Sequence, residues 1–151
     1  NGDPYVIEFN VRMGDPETQA VLPLLKSSLF ELLWNATTGH LQQTELIIDQ
    51  KTAVVVVLAA VGYPNEYESG MKINGLDTIG DRLVFHAGTC KNNHEIVTNG
   101  GRVLNAVGFG NDLKSAIDAA YEIVESINFQ GKYYRQDIGL KGLQDMKKGG
   151  K

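Results

Sequence analysis

Glu8, Asn10 and Arg12 recur at every second position of a stretch, Tyr5-Val6-Ile7-Glu8-Phe9-Asn10-Val11, in which apolar and polar residues alternate. In a β-strand alternate side chains share a face, so Glu8 and Asn10 fall on one side and Ile7, Phe9 and Val11 on the other. A carboxylate and a carboxamide oxygen are hard donors that suit Mg²⁺, an ion that usually keeps several waters and shares itself with substrate phosphates. Arg12 lies on the same side, where its guanidinium can hold phosphate oxygens with paired donors. On its own, a Glu-x-Asn-x-Arg stripe is more often the wet face of a half-exposed strand. These residues alone leave that plainer reading ahead.

Other side chains have chemistry to offer. Arg102 follows Gly100-Gly101; a diglycine lets backbone approach a ligand closely, but it serves equally as a hairpin turn, and the turn is the reading preferred here. Arg102 and Arg135 stand evenly between substrate contact and structural ion pairing. His86 sits in an apolar strand, as a satisfied core or boundary histidine does. The single cysteine, Cys90, permits no internal disulfide and has no Cys or His pattern around it, so it reads as an incidental thiol in a reducing compartment.

The elements around these residues can be read from spacing. After the Tyr5–Val11 stretch, Met13-Gly14-Asp15-Pro16 turns the chain, with Asp15 as helix N-cap and Pro16 at the first helical position. Val21, Leu22, Leu25, Leu29, Leu32 and Leu33 continue at helical spacing to Trp34, with a break or kink at Pro23. Thr37-Thr38-Gly39 ends the helix, Gly39 being a left-handed cap. Thr52 to Ala60 is a β-branched run that reads as a buried strand. Met71–Leu76, Arg82–Ala87, Glu95–Thr98 and Arg102–Phe109 are further strand candidates, and Lys91-Asn92-Asn93-His94 reads as a hairpin turn. Leu113, Ala116, Ile117, Ala120, Tyr121, Val124 and Ile127 form one apolar stripe over several turns, capped by Asn111 or Asp112. The tail from Asp145 to Lys151 is expected to fray. The fold class is therefore α+β: a mostly antiparallel sheet with one long packed helix, preceded by a strand–turn–helix segment.

Composition bounds the rest. A formal charge of −4 argues against a surface built to neutralise nucleic-acid phosphates, while leaving room for a local basic pocket. The longest apolar run, Ala53 to Val61, is too short to span a bilayer as a helix, so no membrane partner is expected. No signal peptide is visible. Asn1-Gly2-Asp3-Pro4 reads as a turn feeding straight into a strand that needs neighbours, so the expectation is a chain cut from a longer one.

The run Glu8-Phe9-Asn10-Val11-Arg12-Met13-Gly14-Asp15-Pro16-Glu17-Thr18-Gln19 resembles the signature of the glycinamide ribonucleotide synthetase (phosphoribosylamine–glycine ligase) family, with Met13 where Leu or Phe is usual. Gly62-Tyr63-Pro64, Val84-Phe85-His86-Ala87-Gly88-Thr89, Asn99-Gly100-Gly101-Arg102-Val103-Leu104 and Tyr134-Arg135-Gln136-Asp137-Ile138-Gly139 resemble its C-terminal blocks, in family order. The resemblance implies that Glu8 and Asn10 are Mg²⁺ (or Mn²⁺) ligands of an ATP-grasp site, bridging the metal to ATP phosphates. It makes Arg12 the first candidate for a catalytic cation, and Arg102 and Arg135 candidates for the phosphoribosyl phosphate. The implied substrates are glycine, 5-phosphoribosylamine and ATP, joined through a glycyl phosphate in the cytoplasm. Residues 1–34 would close an ATP-grasp module and residues 35–151 form the C-terminal domain, the other partners being the N-terminal domain and remaining ATP-grasp module of the same protein. The 151 residues alone would then neither bind ATP tightly nor ligate. Two rivals remain: a non-catalytic binding or interaction domain sharing the C-terminal fold, and a carboxylate–amine ligase for another amine, which the Gly-Asp-Pro-Glu run disfavours.

Overall fold

The computed structural model describes residues 4–7, 9 and 11–149. Its centre is an antiparallel pair, β1 (Thr52–Ala60) and β5 (Arg102–Gly110), in which Val54 faces Gly108, Val56 faces Ala106 and Leu58 faces Leu104. The short strand β2 (Leu83–His86) pairs with the outer edge of β5, and β6 (Lys132–Tyr133) with β1, giving the order β2-β5-β1-β6, antiparallel throughout. A separate hairpin joins β3 (Thr89–Asn92) to β4 (Glu95–Thr98). Its turn residues, Asn93 at φ 44° and His94 at φ 76°, take the left-handed conformation that matches strand twist in a two-residue turn.

Helix α3 (Leu113–Ser126) covers one face of this sheet. Asp112 starts it with a capping box: its Oδ1 accepts from the Ser115 N–H at 2.7 Å, and Ser115 Oγ accepts from the Asp112 N–H at 3.2 Å. The apolar stripe of α3, including Ala116, Ala120, Ile123 and Val124, is buried against Val56, Leu58, Leu104 and Ala106. Each fully buried side chain of the Leu, Ile or Val type contributes about 1.5–3 kcal/mol. The helix comes close because β5 carries glycine beneath it: a Cβ on Gly108 would overlap the backbone of Ala116 and Ala120.

On the other face, α1 (Glu17–Val21) lies across β1 and β5. The expected break at Pro23 is present: α1 gives way to a 3₁₀ turn at Leu22–Leu24, and α2 (Leu29–Thr37) begins afresh with Ser28 Oγ accepting from the Glu31 N–H at 3.3 Å. Gly39, at φ 78°, follows as the left-handed residue. Between the helices Leu25 bridges Ile48, so the chain returns on itself before entering the sheet.

Several expectations differ from the structure. Tyr5, Val6, Ile7, Phe9 and Val11 form no strand; all are exposed, on both nominal faces, and no neighbour among the described residues pairs with them. An unpaired extended segment has no ladder to satisfy its backbone, so alternation alone does not make a strand. Met71–Leu76 makes only isolated bridges, Lys72 to Val97 and Asn74 to Asn128. Of the tail expected to fray, Asp145 to Gly149 continue helix α4 (Leu140–Gly149), whose earlier Leu143 packs against the core, and residues 150–151 lie outside the described residues. Asp15 does not cap α1 either; the N-cap is Pro16, with no side-chain bond.

Candidate functional site

The turn carrying the Gly-Asp-Pro-Glu run is closed by its own residues. Gly14 N–H donates to Glu17 Oε2 at 3.0 Å, and both the N–H and the hydroxyl of Thr18 donate to Gly14 O at 2.8 Å. Arg12 is exposed immediately before it, with Nη1 donating to Met13 O at 3.3 Å. Asp15 is occupied elsewhere. Its Oδ1 accepts from Gln19 Nε2 at 2.9 Å and its Oδ2 pairs with Arg102 Nη2 at 3.0 Å. Arg102 Nη1 also donates to Asp15 O at 3.0 Å. One guanidinium from the start of β5 thus grips both backbone and side chain of the turn. Both partners are part-exposed, so the pair adds little stability by itself and mainly fixes geometry.

Arg102 stands on a rigid base. Its carbonyl accepts from Gly88 N–H at 2.8 Å, Asn99 N–H donates to Gly88 O at 2.8 Å, and Ala60 N–H donates to Gly101 O at 2.8 Å. The rings of Tyr63 and Tyr67 cover Gly101, where any Cβ would meet them within 3 Å. The diglycine is therefore a tightly packed bend between β4 and β5, which lie in different sheets, so it is not the hairpin turn expected from the sequence. Beside α1 lies an open cavity of about 550 Å³, lined in part by Thr18, Gln19, Leu22, Phe85 and His86. His86 is exposed rather than in the core, with Nδ1 2.9 Å from Thr89 Oγ1. It sits at the last position of β2, where the strand runs out of cover.

Glu8 and Asn10, the expected metal ligands, lie outside the described residues. Their donor set, one carboxylate and one carboxamide oxygen, fits a hard divalent cation. Among the described residues no group of three or more His, Cys, Asp or Glu side chains gathers as a metal site.

Arg135 has partners of its own. Its Nε and Nη2 pair with the Asp137 carboxylate at 2.9 and 2.7 Å. That bond holds the Asp137 carboxyl below the usual carboxylate range and raises Arg135. Tyr121, on α3, donates to Arg135 O at 2.7 Å and accepts from Ile138 N–H at 3.2 Å. Lys132 Nζ caps the end of the same helix through Val124 O and Ile127 O. Tyr134 donates to Glu125 Oε1 at 2.5 Å, an acceptor that pushes the phenol pKa up. No hydrogen bond or ion pair among the described residues joins Arg135 to the Arg102–Asp15 group. The structure thus joins Arg102, Asp15 and Gln19 through hydrogen bonds and an ion pair that do not include Arg135. Reading the sequence assigned Asp15 to a helix cap; its place within the signature run was the available hint of another task.

The comparisons with known proteins agree with this arrangement of blocks. Residues 53–141 match the family model "Phosphoribosylglycinamide synthetase, C domain". A phosphoribosylamine–glycine ligase of Leptospira interrogans is 46% identical over 144 residues, covering 95% of this chain and 34% of its own. One from Synechocystis is 49% identical over 145 residues, covering 94% of this chain and 35% of the relative. The crystal structure of the phosphoribosylamine–glycine ligase of Thermotoga maritima superposes with a TM-score of 0.74 at 40% identity, covering 91% of this chain and 34% of that one. The chain spans about a third of the length of these relatives. With more than half its residues inside the family model, this chain belongs to the phosphoribosylglycinamide synthetase family and carries its C domain.

Proposed function

We propose that this chain is the C-terminal part of an ATP-dependent phosphoribosylamine–glycine ligase of purine biosynthesis. The ligase joins glycine to 5-phosphoribosylamine, giving glycinamide ribonucleotide, ADP and phosphate, in the cytoplasm. The observation that carries this reading is collinear identity of 46% over 95% of the chain with a protein named for that activity. In this reading Glu8 and Asn10 hold Mg²⁺ (or Mn²⁺), which offsets charge on the ATP phosphates when bound. Arg12, exposed and next to the closed turn, presents a fixed cation to the same phosphates. Residues up to about Trp34 would belong to the ATP-grasp module and the remainder to the C-terminal domain.

Arg102 and Arg135 were the candidates for the phosphoribosyl phosphate. Each guanidinium is engaged by a carboxylate, Asp15 and Asp137 respectively, which favours structural pairing for both. A substrate phosphate at either would have to share it.

The test is steady-state ligation by the full-length protein that carries this chain, beside the 151 residues alone. The full-length protein should form glycinamide ribonucleotide, and Arg12→Ala should lower turnover about 100-fold or more, the loss typical of a removed transition-state donor. The 151 residues alone should show no glycine-dependent ATP hydrolysis. Unchanged kinetics in Arg12→Ala would strike that residue from the machinery. A full-length protein without ligase activity would favour the binding-domain alternative.

A further inference from the structure

We infer that Arg102 is a positioning residue: it reaches from the C-domain sheet to lock the Gly14–Gln19 turn and so sets where Arg12 stands. This deepens the ligase reading and rests on it for the identity of the reaction, but the geometric part stands on the contacts alone. Arg102 and Asp15 are 87 residues apart in sequence, and two separate guanidinium nitrogens hold the turn, one on Asp15 O and one on Asp15 Oδ2, each at 3.0 Å. Two bonds from a planar fork fix orientation as well as distance, which a single ammonium does not do. The second carboxylate oxygen is taken by Gln19 from within α1, so Asp15 is held from both sides.

The far end of the lever is equally fixed. Arg102 begins β5, its carbonyl is bonded to Gly88, and the preceding glycine is roofed by two tyrosine rings. The turn's own support is local: the Gly14–Glu17 and Thr18–Gly14 hydrogen bonds close it without tying it to the core. Asp15 and Glu17 are exposed, and α1 is only five residues long with no buried residue. A helix that short is not stable by itself, so its position is set by what it leans on. Arg12 adjoins this turn, and displacements of about 1 Å around a reacting group can cost about 100-fold in rate.

Two measurements test the inference. In the full-length ligase, Arg102→Ala and Asp15→Asn should each lower kcat about tenfold or more while leaving the KM values for glycine, ATP and 5-phosphoribosylamine within about threefold. The double variant should be no slower than the slower single one, because both changes break the same link. Arg102→Lys should recover only part of the loss. A rise of KM for 5-phosphoribosylamine with kcat unchanged would place Arg102 on the substrate and overturn the proposal, as would multiplying losses in the double variant.

Independently, amide exchange on the 151-residue chain reads the turn itself. Arg102→Ala, or Arg102→Lys if the alanine variant does not fold, should speed exchange of the Thr18 N–H, which donates to Gly14 O, and leave that of Val124 in α3 unchanged. Equal Thr18 exchange in wild type and variant would sink the positioning role. If the wild-type full-length protein does not ligate, the ligase reading fails, and the exchange measurement still decides the lock.

Discussion

Asp112 shows how a single side chain contributes to this fold. Its carboxylate accepts from the backbone and the hydroxyl of Ser115, and those bonds hold its pKa below the ordinary value. The unfolded chain therefore takes up the proton first on acidification. The stability that Asp112 supplies is fully present above the ordinary aspartate pKa of about 3.9. It is lost as the pH falls from there through the lowered folded-state pKa. Asp112→Asn keeps an accepting oxygen but does not titrate, so its urea midpoint should fall less than the wild type's across that window. Identical acid sensitivity in the two proteins would show that the cap does not depend on the charge. A cap at Asn111 or Asp112 was legible in the sequence because capping is local, a matter of three or four residues, and the structure selects Asp112. The partnership of Arg102 with Asp15 was not, because no spacing rule links positions 87 apart. Glu8 and Asn10 stand between these cases: their donor chemistry is readable, but the strand meant to align them is absent from the described residues around them.

The elements that were readable are those whose own pattern sufficed. The apolar stripe of α3 and the β-branched run of β1 each extend over nine or more residues. β6 escaped notice because it is two residues long and exists only through its pairing with Ala59 and Ala60. The polar, glycine-bearing α4 is likewise held by tertiary contact, through Leu143 on the core, against its weak intrinsic propensity. The spacing between α3 and the sheet follows from Gly108, above which the helix backbone lies too close for any side chain. Gly108→Ala should push α3 outward and cost about 1–3 kcal/mol in urea unfolding, as overpacking in a close-packed core does. An unchanged midpoint would mean that α3 slides without penalty and that glycine does not set the distance.

The chain divides unevenly between a well-buried part and a poorly covered one. From β1 onward lies nearly all the buried core, whereas Ile7, Phe9, Phe30, Trp34 and Ile48, all before it, are exposed, and α2 has no buried residue. The proposed division near Trp34 passes through a paired unit. Lys26 N–H donates to Ile47 O at 2.9 Å, Ser27 Oγ donates to Glu45 O at 2.8 Å, Asp49 N–H donates to Leu24 O at 2.7 Å, and Lys26 pairs with Asp49 at 2.9 Å. Residues 24–27 and 45–49 therefore hold one another, and the thinner join falls after them, at the exposed Gln50 and Lys51. Among the described residues, α1 lying on β1 and β5 crosses that join, as does the Arg102–Asp15 ion pair. Brief digestion with a broad-specificity protease, followed by mass measurement, should first accumulate a product that begins close to Thr52 and keeps α3 and α4. Arg102→Ala should bring that product on sooner, because it removes one of the few links across the join. A dominant product beginning near Asn35 would instead place the division at Trp34 and make the 24–27 and 45–49 pairing too weak to act as a unit.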